Sequence, residues 1–238
     1  MAKDSYTADG LAHLANGLSA AQTVAALTSA DAGRGTRGRE DRQVAVVGPA
    51  DQSTFTGRDC MQWAGGVCGG DKDSGYAIQG HILAGEHVVL ARERGWLQSP
   101  DLLMAPRLVK ALLAGDHAGG DRPGRQSAAR FTMAPGAGYD HGGVLADLRV
   151  DDHPKAADAL ARLLDLHDLC FGGPQTVLPL QGPVADEVRR HLLALGRNQP
   201  DLHDGLNDWA GEANLEMRMT PDGIDRHVLQ ALREAAAQ

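Results

Sequence analysis

The chain has 238 residues, 42% of them apolar, and its 23 Lys+Arg stand against 31 Asp+Glu for a net charge of −8. That acidic balance offers no basic face to a phosphate backbone or an anionic bilayer, which argues against nucleic acid and peripheral membrane partners. No apolar run approaches the ~20 residues of a membrane span, and the opening Met-Ala-Lys-Asp-Ser-Tyr carries no apolar leader core.

The first thirty residues read as two short helices. The second opens on Ser19-Ala-Ala-Gln22, the spacing of a capping box. Asp31–Arg42 is glycine- and arginine-rich and reads as a loop. Gln43–Gly48 and Ser53–Thr56 are β-branched and short, as strands are. Cys60–Ser74 holds many glycines and reads as a loop, Gly75–Leu83 as a strand. A helix is expected from Pro106 to Leu113, stopped by Gly115. Gln126–Met133 and Val144–Val150 read as strands joined through Ala134–Gly143. Pro154 suits the first turn of a helix carrying Leu160, Leu163, Leu164 and His167 on one stripe. Phe171-Gly-Gly-Pro-Gln175 reads as a boundary. Beyond it lies a small helical unit whose first helix opens at Pro183 and whose last follows Asp225. Helices early and late with strands between predict an antiparallel α+β fold. The expected domains are residues 1–173 and 174–238.

Cys60, Cys68 and Cys170 are an odd, low count, which suits free thiols in a reducing compartment and a cytoplasmic location. Nucleophile elbow, P-loop, zincin and dinucleotide signatures are absent. Four clusters carry polar chemistry. Ala118–Ser127 places Asp121, Arg122, Arg125 and Gln126 among three glycines. Such a turn suits an anionic or carboxylate-bearing ligand held by a guanidinium fork, or else an Asp and an Arg that pair with each other. Asp147–Pro154 puts Asp147, Arg149 and Asp151 on one strand face before Asp152 and His153. These suit a metal or an oriented base, or else Asp152 or His153 caps the following helix. Gln79-Gly80-His81 ends a strand, where His81 is a candidate base or an ordinary surface histidine. Cys60 lies in Thr56-Gly57-x-x-Cys60-x-x-Trp63 and reads as a structural thiol rather than a nucleophile. Neither metal nor cofactor is expected.

Taken in order, Phe55-Thr-Gly-x-x-Cys-x-x-Trp-Ala-Gly65, Gln79-Gly-x-Ile-Leu-Ala-Gly85, Ala118-Gly-Gly-Asp-Arg-x-Gly-Arg-Gln-Ser-Ala128 and Asp147–Pro154 resemble one bacterial and archaeal family. It is domain-of-unknown-function family ten-twenty-eight, grouped with the Ntn (N-terminal nucleophile) hydrolases. The likeness runs from about Ser5 to Phe171. Trp209-Ala-Gly211, Asn214-Leu-Glu216, Arg218 and Ile224-Asp225 resemble a peptidoglycan-binding-like domain appended to many members.

The resemblance implies an αββα sandwich and amide hydrolysis, in which a leading Thr, Ser or Cys attacks while its own α-amine acts as base. It implies a small amide-bearing substrate for the larger domain and peptidoglycan as a partner for the tail. Family members begin with further residues that include the first two strands, so the start is expected to be truncated and the catalytic residue is unassigned. Missing strands leave open edges, which predicts a homo-oligomer. Asp121, Arg125, Gln126, Asp152, Gln79 and His81 are then the expected substrate-binding residues, with roles in binding and orientation. His81 stands where the family usually has asparagine.

Overall fold

A computed structural model of the chain describes residues 4–31, 38–71, 73–138 and 141–237. Ser19 acts as its spacing predicts: its hydroxyl accepts from the Gln22 amide (3.2 Å) and the Gln22 side chain accepts from the Ser19 amide (2.9 Å). This capping box starts α2 (Ala20–Ser29), after α1 (Ser5–Ala15). Of the expected loop over Asp31–Arg42, residues 32–37 lie outside the described residues. At its ends Arg42 Nε donates to buried Asp31 (2.9 Å) and the Tyr6 hydroxyl donates to the same carboxylate (3.1 Å). Burial, together with this bond, pushes the Tyr6 phenol up to about 12.

Strands β1 (Gln43–Val47) and β2 (Gln52–Thr56) form one antiparallel ribbon, and β3 (Gly65–Gly69) and β4 (Tyr76–Gly80) form another. Helix α2 packs on the first ribbon, and the two ribbons face each other. Helix α3 (Glu86–Leu97) covers the second ribbon, and α4 (Met104–His117) packs on α3. Apolar clusters fill the two helix–ribbon seams, one around Ala20, Val24 and Val46, the other around Leu83, Val88 and Val89. Gln43 Nε2 stitches the ribbons by donating to Gly80 O (2.7 Å) and Gly65 O (3.4 Å). Arg107 stacks on Trp96 at 3.7 Å and donates to its carbonyl (3.0 Å), fixing α4 on α3. Strands β5 (Ala128–Met133) and β6 (Val144–Val150) pair as a hairpin, and α5 (Ala156–Phe171) follows. In the hairpin connection Ala134 N donates to Gly143 O (2.9 Å); residues 139 and 140 lie outside the described set.

The chain divides into two compact units: residues up to 130 with 149–160, and residues 131–148 with 161–238. In the second, α6 (Pro183–Ala194), α7 (Leu202–Glu212) and α8 (Arg226–Ala235) enclose Val188, Leu192, Leu206, Trp209, Ile224 and Leu232. A small ribbon, β7 (Val177–Pro179) with β8 (Gly223–Asp225), joins them. At its centre Arg218 is fully buried. It donates to the carbonyls of Leu169 (2.8 Å), Gly173 (3.1 Å) and Asp168 (2.6 Å) and pairs with Asp168 (3.1 Å) and Asp225 (3.5 Å). Asp225 also accepts from the amides of Gln175, Thr176 and His227. Burial pushes the Asp225 carboxyl up, and these N–H groups more than reverse it, leaving it at about 2.

Several elements differ from the sequence reading, among them the β7–β8 ribbon within the tail expected to be helical. Gly65–Gly69 is a strand within the expected Cys60–Ser74 loop. Helix α3 stands where none was expected. Helix α4 runs through Gly115 instead of stopping there.

Candidate functional site

Among the described residues, each unit has a concavity. The larger, about 550 Å³, is an open groove along the β7–β8 ribbon, between Val177, Pro179, Leu180, Gln181, Pro221 and Asp222. The smaller, about 270 Å³, lies in the first unit and gathers Arg92, Asp116, Asp121, Arg125, Gln126 and Ser127. The second gathers convergent titratable side chains, one of them an arginine perturbed by burial, and is taken as the candidate.

Its floor begins with the turn after α4. Gly119 and Gly120 take φ of +120° and +58°, values an L side chain rarely adopts. The turn is pinned to the end of β4 from both sides. Ala84 N donates to Gly120 O (2.9 Å), Arg122 N donates to Ile82 O (2.8 Å), and Leu83 bridges to Asp121. Ile82 itself has φ +60°, a strained setting for a β-branched residue, held by its own amide on Met61 O (3.0 Å) and by Arg122. These contacts, which hold the strain in place, fix the backbone that presents Asp121. The turn leads to Gln126, whose carbonyl accepts from His153 N (2.9 Å), which brings the start of α5 against the cleft; Ala156 and Ala157 line it.

The four charges are not equivalent. Arg125 is occupied: its Nε donates to Asp116 Oδ1 and its Nη2 to the Asp116 carbonyl (2.8 Å). The side chains of Arg92 and Asp121 have no hydrogen-bond or ion-pair partner among the described residues. The Nε of Arg92 is buried without an acceptor, and burial pulls its pKa down against the opposing fields of Asp121 and Asp116. Gly115 explains how Arg92 is seated. A Cβ there would lie 2.4 Å from both Cγ and Nε of Arg92, so only glycine lets the arginine cross α4 at that height.

Of the residues singled out from sequence, Asp121, Arg125 and Gln126 meet in this cleft. Asp152, Gln79 and His81 do not line it. Asp152 is exposed on the bend before α5, where His153, through Nδ1, accepts from Lys155 N (3.0 Å) and supplies the local cap. Asp147 and Arg149 are both partnered. His81 is exposed, and Gln79 has a buried Oε1 without a donor in β4. Arg122 donates to Gln62 O (3.3 Å). Arg92 and Asp116 were not foreseen. The signal for Arg92 was Gly115 inside a helix, one turn from a run of leucines, read as a stop. Cys60 is buried, its thiol donates to Arg42 O (3.5 Å), and burial pushes its pKa up, so it is a structural thiol. All three cysteines are free.

Asp116, His117 and Asp158 offer ligand atoms within 4.8 Å of one another. Asp116 already holds Arg125, and His117 Nε2 lies 3.9 Å from Asp158 at the surface. The trio reads as an ion-pair network at the C-terminal end of α4, where a histidine is favoured, and no ion is assigned to it. No helix among the described residues is long and apolar enough to cross a membrane.

The model of a "Family of unknown function (DUF1028)" matches residues 1–160, and that of a "Putative peptidoglycan binding domain" matches residues 171–232. A crystal structure of the protein SPO2555 from Silicibacter pomeroyi, which carries the same DUF1028 family model, is similar at 27% identity with a TM-score of 0.55. The match covers 76% of this chain and 69% of that one. No curated protein matches. Two-thirds of the chain, including every residue that lines the cleft, thus falls within one family match, and the chain belongs to the family of unknown function DUF1028.

Proposed function

We propose that the first unit is a scaffold of the Ntn amide-hydrolase type and that its cleft binds a small amide-bearing molecule. The layer order supports the first part: α1–α2, then β1–β2, then β3–β4, then α3–α4. The second part rests on one observation. The exposed side-chain amide of Gln126 and the exposed hydroxyl of Ser127 line a charged cleft beside Arg92. A carboxamide has both a donor and an acceptor, and so meets an amide and a hydroxyl on equal terms. Ser127 has no hydrogen-bonded base, so the roles assigned to Asp121, Arg125 and Gln126 are binding and orientation. The test is ligand-observed NMR on the full chain with a panel of small amides, alongside amine-release assays. Gln126→Ala should weaken binding by about tenfold, the worth of one or two net hydrogen bonds. Equal binding by Gln126→Ala removes the reading.

A second reading concerns residues 174–238, which we take as a domain distinct from 1–173. The match to a peptidoglycan binding domain and the open groove support recognition of a wall glycopeptide there. The Thr220 hydroxyl in that groove is buried without a partner. Co-sedimentation of the full chain with purified peptidoglycan tests it, and no retention rejects it. Exposed Leu97, Leu103 and Met104 support self-association, which sedimentation velocity reads directly.

A further inference from the structure

Of the four charged side chains in the cleft, Arg125 and Asp116 satisfy each other. Arg92 and Asp121 remain. They are opposite in charge and each lies within the other's field, yet no ion pair joins them. Asp121 is exposed and solvated, whereas Arg92 is largely buried with its Nε unsatisfied, so the arginine is the charge left without compensation by the fold. Here each is held by its own support. Arg92 is laid across Gly115 with its Nε sealed off, so its remaining N–H groups are the ones presented to the cleft. The backbone of Asp121 is fixed by its bridge to Leu83 and by the glycine turn, and its carboxylate stands exposed at the cleft. The site therefore offers one cation and one anion, separated and unpaired, with a neutral amide and a hydroxyl beside them. At about 270 Å³ it is of metabolite size, below the range of drug-sized pockets.

We propose that this cleft binds a zwitterionic, amino-acid-type ligand, whose carboxylate is received by Arg92 and whose ammonium is received by Asp121. This rests on the reading of the cleft as a small-molecule amide site given above and specifies its ligand class. Leu112 and Ala128 add apolar wall for the ligand's side chain. The amide end of α5, at Ala156 and Ala157, adds a favourable dipole for an anion. A simple anion would leave Asp121 facing it without compensation. A simple amine would leave Arg92 in the same position. Only a ligand with both charges answers both groups.

The test is isothermal titration of the full chain with the twenty L-amino acids, then with blocked forms of the best binder. L-Glutamine, N-acetyl-L-glutamine, L-glutaminamide and propionamide form the reference set. The zwitterion should bind, and removing either charge should cost at least about tenfold, the scale of one charge-assisted hydrogen bond. Arg92→Gln should erase the difference between glutamine and glutaminamide. Asp121→Asn should erase the difference between glutamine and its N-acetyl form. Gly115→Ala, which keeps the arginine but blocks its seat, should act like Arg92→Gln, so a misfolded Arg92 variant does not decide the matter. If propionamide and the blocked forms bind as tightly as the zwitterion, the inference fails and the amide reading stands. If no compound binds below about 10 mM, a free energy under 3 kcal/mol, both fail.

Discussion

Asp225→Asn is the sharpest structural test of the second unit. The carboxylate is fully buried, caps α8, and accepts N–H from Gln175 (2.8 Å), Thr176 (3.1 Å) and His227 (2.9 Å) while pairing with buried Arg218 (3.5 Å). Its ordinary value of 3.8 falls to about 2 in the fold, and a tenfold change in proton affinity is 1.36 kcal/mol, so the ionised form contributes about 2 kcal/mol. Asparagine removes the charge and turns one acceptor into a donor. That donor must face an amide N–H on whichever side it lies, adding roughly 1–3 kcal/mol for an unsatisfied buried group. Arg218 keeps Asp168 and three carbonyls, which limits the further loss. The expected total is about 3–5 kcal/mol. Urea denaturation of the full chain, with amide hydrogen exchange read on α7 and α8, measures it. The same carboxylate predicts a pH effect. Its folded value lies below the unfolded one, so its contribution is complete above about pH 4 and is lost as pH falls toward 2. Asp225→Asn should flatten that part of the profile. A loss below 1 kcal/mol, or an unchanged acid limb, would refute the account of this node.

Other outcomes follow from the first unit. Gly115→Ala adds a good helix former, worth about 1 kcal/mol, but its Cβ would lie 2.4 Å from Arg92 Cγ and Nε. Stability should therefore stay within about 1 kcal/mol of the parent while Arg92-dependent binding is lost; retained binding contradicts the seating. Arg125→Ala should cost no more than about 1 kcal/mol, because its pair with Asp116 is 40% exposed on the arginine side. It should also weaken amino-acid binding less than Arg92→Gln does; the reverse order would show that Arg125 leaves Asp116 to meet the ligand. Iodoacetamide should label exposed Cys68 well before buried Cys60. Peptide mapping showing Cys60 labelled first would overturn its assignment as an inert core thiol.

Elements set by local chemistry are legible from their residues. Ser19 and Gln22 form the predicted cap, and Asp225 caps the last helix where that helix was expected to open. The glycines around Asp121 do shape a turn that feeds a strand. What was hidden depends on tertiary contact. Helix α3 carries Glu86, Arg92, Glu93 and Arg94 among its apolar residues, which blurs its stripe; it is fixed by burial of Val88, Val89 and Trp96 against β3–β4 and α4. Strand β3 is glycine-rich and is specified by its register with β4, Gly65 opposite Gly80 through Gly69 opposite Tyr76. Gly115 looked like a helix stop because helices end on glycine, yet its reason is a side chain twenty-three positions away. The tail motifs are likewise core: Trp209, Leu215, Arg218, Ile224 and Asp225 are all buried. They explain why the unit folds rather than what it binds. For the site, the turn residues Asp121, Arg125 and Gln126 were legible. The division between satisfied Arg125 and unpaired Arg92 was not, since it depends on which acid each arginine reaches.

The central claim is that Arg92 is the open cation of the cleft. Arginine Nε–H correlation NMR on the full chain, with the Arg92 peak assigned through Arg92→Lys, tests it most directly. On titration with the amino acid that binds best, the Arg92 peak should shift saturably while the Arg125 peak, held on Asp116, moves little. An Arg92 peak that stays fixed as a ligand saturates the protein would contradict the account.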